Sequence, residues 1–355
     1  MSTVEPSPTS NPPPTEVPLP APTTAEVTNA ESSVPVASEP AVEAPAKVEE
    51  TASAVETAPP ATAAPAETTA AAEPEKPKEA EPEVDEPQNA LTKKFTEKEW
   101  AALKEFRKLL PEIFASAYEE KGEAKRQPIK IWGVTIDPNG KPDAKVSVVL
   151  MKWLRARNLN PAEAKAMMIA TLRWRDEFKV DEAINETFDA KIFGNMGHVY
   201  GKDKEGRPVT YNVYGGEQDL KAVFGDVPRF LRWRVQLMEK GIEEIDFETV
   251  DSMVQVHDYE GVSMSSRDAN SKQAASEASS IFQNHYPEFL SRKFFVNVPS
   301  FLTWIFWLFK PLLSAATVAK MQVVGTGPHA IGKALLPVVE KDQLPKRYGG
   351  DAEAF

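Results

Sequence analysis

Lys293-Phe294-Phe295-Val296-Asn297-Val298-Pro299 leads almost directly into Phe301-Leu302-Thr303-Trp304-Ile305-Phe306-Trp307-Leu308-Phe309, which Lys310-Pro311 ends. The first piece is short and nearly continuous in apolar residues, the pattern of a strand buried on both faces. The second reads as a helix over 300–309. Nine residues rise about 14 Å, about half the hydrocarbon core of a bilayer, so this helix cannot span one. It is apolar on every side, which is more than a helix packed on one side needs. Two readings stand: a helix buried in a core, or a mobile helix that covers an apolar cavity and touches a bilayer interface when open, where Trp is favoured.

The flanking pattern alternates helices with buried strands. Thr96-Glu97-Lys98-Glu99 is a capping box, followed by Trp100, Leu103, Phe106, Leu110 and Phe114 at helical spacing. Val149 to Arg157 forms another helical set, and Asn160-Pro161 opens a third. Residues 95–180 therefore read as a small all-helical lobe. Val199-Tyr200-Gly201, Asp203-Lys204-Glu205-Gly206-Arg207 and Pro208 to Tyr214 read as strand, glycine turn and strand. Pro228 to Lys240 is helical, Val250 to His257 a strand and Ser271 to Phe289 a helix. Gln322-Val323-Val324 is a last strand before a C-terminal helix. The sum is an α/β fold, a sheet with helix cover.

Composition bounds the chemistry. The 355 residues carry no cysteine, so no disulfide, thiolate nucleophile or Cys-ligated metal is possible. A zinc site would have to use His198, His257, His285 and His329, whose spacings match no zinc pattern. The net charge of −12 is unevenly spread. Residues 1–90 hold 17 acidic and 3 basic residues, while residues 91–355 hold 36 and 38. The tail contains 18 of the 31 prolines and neither an aromatic residue nor a glycine, so it reads as a disordered acidic spacer. No basic stripe marks a duplex nucleic-acid binder. No secretory signal opens the chain, and the lack of cysteine suits the cytosol. No nucleophilic triad or Gly-rich phosphate loop is visible, and the single glycine of Asp203–Gly206 sits in a hairpin.

The order of segments resembles the CRAL-TRIO lipid-exchange proteins over about residues 95–350. The resemblance rests on Leu154-Arg155-Ala156-Arg157 before Trp174-Arg175, on Asp203 to Val209, and on Asp258-Tyr259-Glu260-Gly261-Val262-Ser263. It continues through Tyr286-Pro287-Glu288 with Phe294 to Pro299, Lys310-Pro311-Leu312-Leu313, Leu344-Pro345 and Tyr348-Gly349-Gly350. The disordered tail (1–90) lies outside it; the resemblance implies a helical N-terminal lobe (91–185) and a lipid- and haem-binding domain (186–355). That domain would have a mixed sheet as floor, helices as cover and Phe301–Phe309 as a mobile gate. Such proteins extract one lipid from a membrane and exchange it for another without covalent chemistry. The resemblance also implies a phosphatidylinositol headgroup site at Arg157, Glu288, Thr317 and Lys320. Arg and Lys suit a phosphodiester, and Glu and Thr suit ring hydroxyls.

One feature does not suit a lipid tail. Alternation puts Met253, Gln255, His257 and Tyr259 on one face of their strand, with Val254 and Val256 on the other. In the preceding hairpin Thr210, Asn212 and Tyr214 share a face. These polar faces are expected to meet in one pocket, as a satisfied polar network or as a haem site with a tyrosinate ligand. His257-Asp258-Tyr259 and the segment from Ser291 to Pro299 resemble the fungal non-classical phosphatidylinositol-transfer haemoproteins. That branch implies haem b with Tyr259 as the axial ligand of the iron, His257 beside it, Tyr214 lining the pocket, and Arg232 and Lys293 as cations. Arg229 and Arg234 flank Arg232, and periodicity does not choose among them. The expected function is phosphatidylinositol transfer with haem binding, or a dedicated haem sensor or carrier. The expected location is the cytoplasm and, peripherally, the endoplasmic reticulum or microsomal membrane.

Overall fold

The computed structural model describes residues 86–119, 128–216, 218–263, 269–299 and 315–355. Packing begins earlier than composition predicts. The Glu86 carboxylate pairs with Arg107 at 2.7 Å, and the Asn89 amide donates to the Phe247 carbonyl at 2.9 Å. The rest of the expected tail, residues 1–85, and the gate candidate Phe301–Phe309 lie outside the described residues.

The helical lobe starts with α1 (Glu97–Lys108), where the capping box forms as read. Thr96 Oγ1 accepts from the Glu99 N–H at 3.3 Å, and the Glu99 carboxylate accepts from the Thr96 N–H at 2.8 Å. Next come α2 (Leu110–Ala117), α3 (Ala144–Arg155) and α4 (Pro161–Phe178). The Asn160 side chain caps α4, accepting from the N–H of Ala162 and Glu163. The lobe is not all helical. A small hairpin, β1 (Ile129–Ile131) and β2 (Val134–Ile136), precedes α3 and carries Trp132, which stacks on Trp153 at 5.1 Å. Three-residue strands are too short for alternation to announce them.

Two short helices, α5 (Val180–Ile184) and α6 (Ala190–Phe193), lead to a five-stranded sheet. Its strands β3 (Gly197–Lys202), β4 (Pro208–Val213), β5 (Met253–Asp258), β6 (Leu290–Val296) and β7 (Met321–Val323) lie side by side in that order. β3 and β4 form the expected antiparallel hairpin, and the other pairs are parallel. Parallel neighbours need crossovers. α7 (Leu220–Phe224) and α8 (Val227–Glu243) join β4 to β5, and α9 (Ala269–His285) joins β5 to β6. α10 (Ala315–Ala319) precedes β7, and α11 (Pro328–Leu335) follows it. α9 stops four residues short of the expected Phe289, since Pro287 disfavours helical backbone at Tyr286.

Alternation divides the sheet. Val209, Tyr211, Val254, Val256, Phe294 and Val296 face a core closed by Ile331, Leu335, Leu344 and Tyr348. The opposite face lies under α8 and α9. There the lobe is tied on by a buried network: Arg175 of α4 donates to the Glu239 carboxylate of α8 at 2.6 Å, and the Tyr286 hydroxyl donates to the same oxygen at 2.6 Å. Glu239→Ala leaves Arg175 buried without its acceptor. A loss of about 3–5 kcal/mol of unfolding free energy is expected in urea denaturation, with a smaller loss for Glu239→Gln.

Candidate ligand cavity

A cavity of about 550 Å³ opens between the sheet and the helices α8 and α9. Its floor carries Gln255, His257 and Tyr259 from the β5 strand and the residue after it, with Lys293 and Phe295 from β6. Phe230, Arg234 and Met238 reach it from α8 at a spacing of four, one stripe of a helix. Phe282 contributes from α9 and Phe224 from α7. The alternation read along β5 thus puts its polar face on the cavity. Thr210 and Asn212 do not join it. Thr210 donates to the Val254 carbonyl and lies under Gly241 of α8, where an added Cβ would come within 2.8 Å of the Thr210 methyl carbon.

Two phenols are fixed by the strand ends. The Tyr214 N–H donates to the Asp258 carbonyl at 2.9 Å, and the Tyr259 N–H donates to the Val296 carbonyl at 3.1 Å. Their rings stand 5.4 Å apart, and Tyr214 is 5.7 Å from the His257 ring. Gly215 makes this approach possible: a Cβ there would sit 1.4 Å from the Glu260 carbonyl oxygen. Burial pushes both phenols above their ordinary pKa, and for Tyr259 the neighbouring Tyr214 adds to it. The Arg234 guanidinium pulls the other way without overcoming burial. Burial, Lys293 and Arg234 together hold His257 well below the usual imidazole value, so it is neutral. Its Nε2 is buried and has no partner among the described residues. Burial and Arg234 bring Lys293 down to about 7.

The structure corrects one expected cation. Arg232 points away from the cavity: its guanidinium pairs with Glu186 at 2.5 Å and donates to the Phe178 carbonyl at 2.9 Å. Two residues along a helix turn the side chain by about 200°, so Arg234 faces the cavity where Arg232 cannot. Tyr211 is turned to the far core and stacks on Tyr348 at 5.3 Å.

Arg157, Glu288, Thr317 and Lys320 line the same cavity. Glu288 and Lys320 form an ion pair at 3.0 Å, and the Arg157 guanidinium donates to the neighbouring Ala156 carbonyl. Glu288 has a left-handed backbone, φ +54. Sequence reasoning missed what holds it. Lys152 of α3 is 1% exposed; its Nζ donates to the Glu288 carbonyl at 3.0 Å and to the Asp251 carbonyl, and lies 4.1 Å from the Phe289 ring centre. One lobe lysine thereby fastens the segments entering β5 and β6. Among the described residues, no three His, Cys, Asp or Glu side chains gather to hold a metal ion.

Residues 193–350 match the model of the CRAL/TRIO domain, and residues 102–170 that of the CRAL/TRIO N-terminal domain. Phosphatidylinositol transfer protein SFH5 of Cryptococcus neoformans is 35% identical over 240 residues, 62% of this chain and 80% of that protein. The chain belongs to the CRAL/TRIO family. Phosphatidylinositol transfer protein sfh5 of Botryotinia fuckeliana is 39% identical over 236 residues, 62% of this chain and 52% of that protein. The Sclerotinia sclerotiorum protein of the same name is 38% identical, with 57% of its length covered. The chain thus spans little more than half of these two relatives. The crystal structure of Sfh5 superposes with a TM-score of 0.62 at 29% identity, covering 74% of this chain and 90% of that one. The two CRAL/TRIO matches fall on the helical lobe and on the sheet with its cavity. No helix among the described residues is long and apolar enough to cross a membrane.

Lys152 gives this architecture a pH dependence. Burial draws its ammonium down to about 8 from an ordinary 10.5, against the pull of Asp251 and Glu288. Between those values the unfolded chain holds more protons at this lysine than the folded one, so its contribution to stability rises with pH. In urea unfolding at pH 7.5, 8.5 and 9.5, the stability difference between wild type and Lys152→Met should widen as pH climbs.

Proposed function

We propose that this CRAL/TRIO protein exchanges phosphatidylinositol between membranes, and that the same cavity also accepts haem b through Tyr259. The observation that carries the lipid reading is that Arg157, Glu288, Thr317 and Lys320 line one apolar chamber. Cationic and hydroxyl-binding groups stand together beside aromatic walls, which suits a phosphoinositol head joined to acyl chains. Keeping those chains from water contributes about 0.8 kcal/mol per methylene. No bond is made or broken in such an exchange. The names of the fungal relatives, phosphatidylinositol transfer proteins, support the same reading.

A specific observation favours the second cargo. Two phenols, a neutral imidazole with an unpartnered nitrogen and two cations face one buried space. The donor set fits haem: Tyr259 offers an oxygen to a ferric iron, and Lys293, with Arg234 in place of the expected Arg232, offers cations to the propionates. Bound haem would supply a Lewis-acidic iron that takes a phenolate as axial ligand. Tyr214, its ring 5.4 Å from that of Tyr259, and neutral His257 would hold that phenol in place and keep water from it. A cavity of about 550 Å³ is the size of a site for one small ligand, so lipid and haem would alternate rather than coexist. On this reading the protein works peripherally at the surface of the endoplasmic reticulum, and haem occupancy ties it to oxidant stress.

Transfer of labelled phosphatidylinositol between vesicles should fall at least tenfold in Arg157→Gln/Lys320→Gln, and haem-loaded protein should transfer less than haem-free protein. Undiminished transfer by the double variant would overturn the headgroup assignment. Freshly purified protein should absorb in the visible and contain iron, and Tyr259→Phe should lose or shift that absorption. A colourless, iron-free wild type that still transfers lipid would leave the lipid reading alone standing.

A further inference from the structure

The cations of this protein fall into two classes. Lys320 is answered by Glu288, Arg175 by Glu239 and Arg232 by Glu186. Arg234 and Lys293 are not: among the described residues no carboxylate lies within ion-pair distance of either, yet both line the apolar cavity. Arg234 is 5% exposed and its guanidinium lies 4.8 Å from the Phe282 ring centre, which leaves its N–H donors for a ligand. The Lys293 ammonium lies 5.3 Å from the Phe295 ring centre. Two like charges in one low-dielectric chamber repel each other, and only an anion relieves both. Neighbouring polar groups are equally unfilled. His257 Nε2 has no partner among the described residues, and the Gln255 amide reaches only the sulfurs of Met238 and Met253, at 3.8 Å.

We propose that Arg234 and Lys293 form a carboxylate anchor on the cavity floor, and that the haem-free protein binds long-chain fatty acids there, head to the cations and alkyl chain along Phe224, Phe230 and Phe282. A guanidinium fork and a point ammonium suit one carboxylate, and His257 or Gln255 can donate to its second oxygen. The aromatic wall supplies the apolar surface a single alkyl chain needs, and the cavity volume is that of one small amphiphile. Of the headgroup positions, the Lys320 charge is already met by Glu288, and Arg157 spends one donor on the Ala156 carbonyl. The anchor depends on neither lipid exchange nor haem, so failure of either leaves it untouched.

The test uses the full chain, purified and shown to be haem-free by its visible spectrum. Calorimetric titration with oleate should show binding, and methyl oleate, which keeps the chain and loses the charge, should bind at least tenfold more weakly. Lys293→Met should weaken oleate tenfold or more while keeping its melting temperature, since it removes an unpaired buried ammonium and leaves no partner behind. Lys293→Arg should restore binding. Arg234→Met should weaken it likewise, and Arg232→Gln, on the outer side of the same helix, should bind as wild type. Equal binding of oleate and methyl oleate would show an apolar cavity without an anchor, and unchanged oleate binding by Lys293→Met would remove the lysine from it. Displacement of oleate by lysophosphatidic acid at equal or lower concentration would assign the floor to phosphate and overturn the fatty-acid proposal.

Discussion

Asp258 is fully buried at the end of β5, and a carboxylate there is tolerable only if its oxygens are filled. They are: Asn297 donates to it at 2.8 Å, Arg347 and the Tyr348 hydroxyl at 2.9 Å, and the Glu260 N–H at 3.0 Å. Asn297 in turn accepts from the Gly327 N–H at 3.1 Å. One side chain therefore gathers the ends of two central strands, the loop before α11 and the C-terminal segment. Because Asp258 is committed to the far side of the sheet, its neighbours His257 and Tyr259 are committed to the near side, by the two-residue period of a strand. The cavity floor follows from where this carboxylate is satisfied.

The same economy of charge organises the cavity. A buried ion pair contributes little net stability, yet it fixes geometry, because stranding one partner is costly. Arg175 and Glu239 fix the lobe in this way, whereas Glu288 with Lys320, each about a third exposed, is a weaker tie at the cavity wall. Where pairing stops, the groups remain available. The phenols stay protonated, the imidazole stays neutral and Lys293 loses much of its hold on its proton, all chiefly because water is excluded. A space lined this way favours anions over further cations.

Much of this was legible in the residues. The capping box at Thr96, the Asn160 cap, the hairpin around Asp203–Gly206 and the alternation of Val254, Gln255, Val256 and His257 each follow from local rules whose physics is confined to a few residues. The split between polar and apolar faces of β5 held because a strand has only two sides. The choice between Arg232 and Arg234 was not legible from the apolar stripe of Phe230, Trp233 and Leu237, since α8 is buried around much of its circumference and shows several stripes at once. Phe230, Arg234 and Met238 become a cavity face only when sheet and α9 are in place. Lys152 was hidden for a different reason: a lysine in an apolar helix reads as a solvated charge, and its partners are main-chain carbonyls far along the chain. The β1–β2 hairpin lacked the length to show a period.

That lysine holds the lobe to the sheet by hydrogen bonds to the main-chain carbonyls of Asp251 and Glu288, with the Asp251 carboxylate 4.0 Å away. A joint built this way is asymmetric in what it asks of sequence. On the helix it demands a long cationic arm, whereas at the two receiving positions it demands only a path of the chain. The carboxylate of Glu288 is left to another partner, Lys320, while its own carbonyl does structural duty.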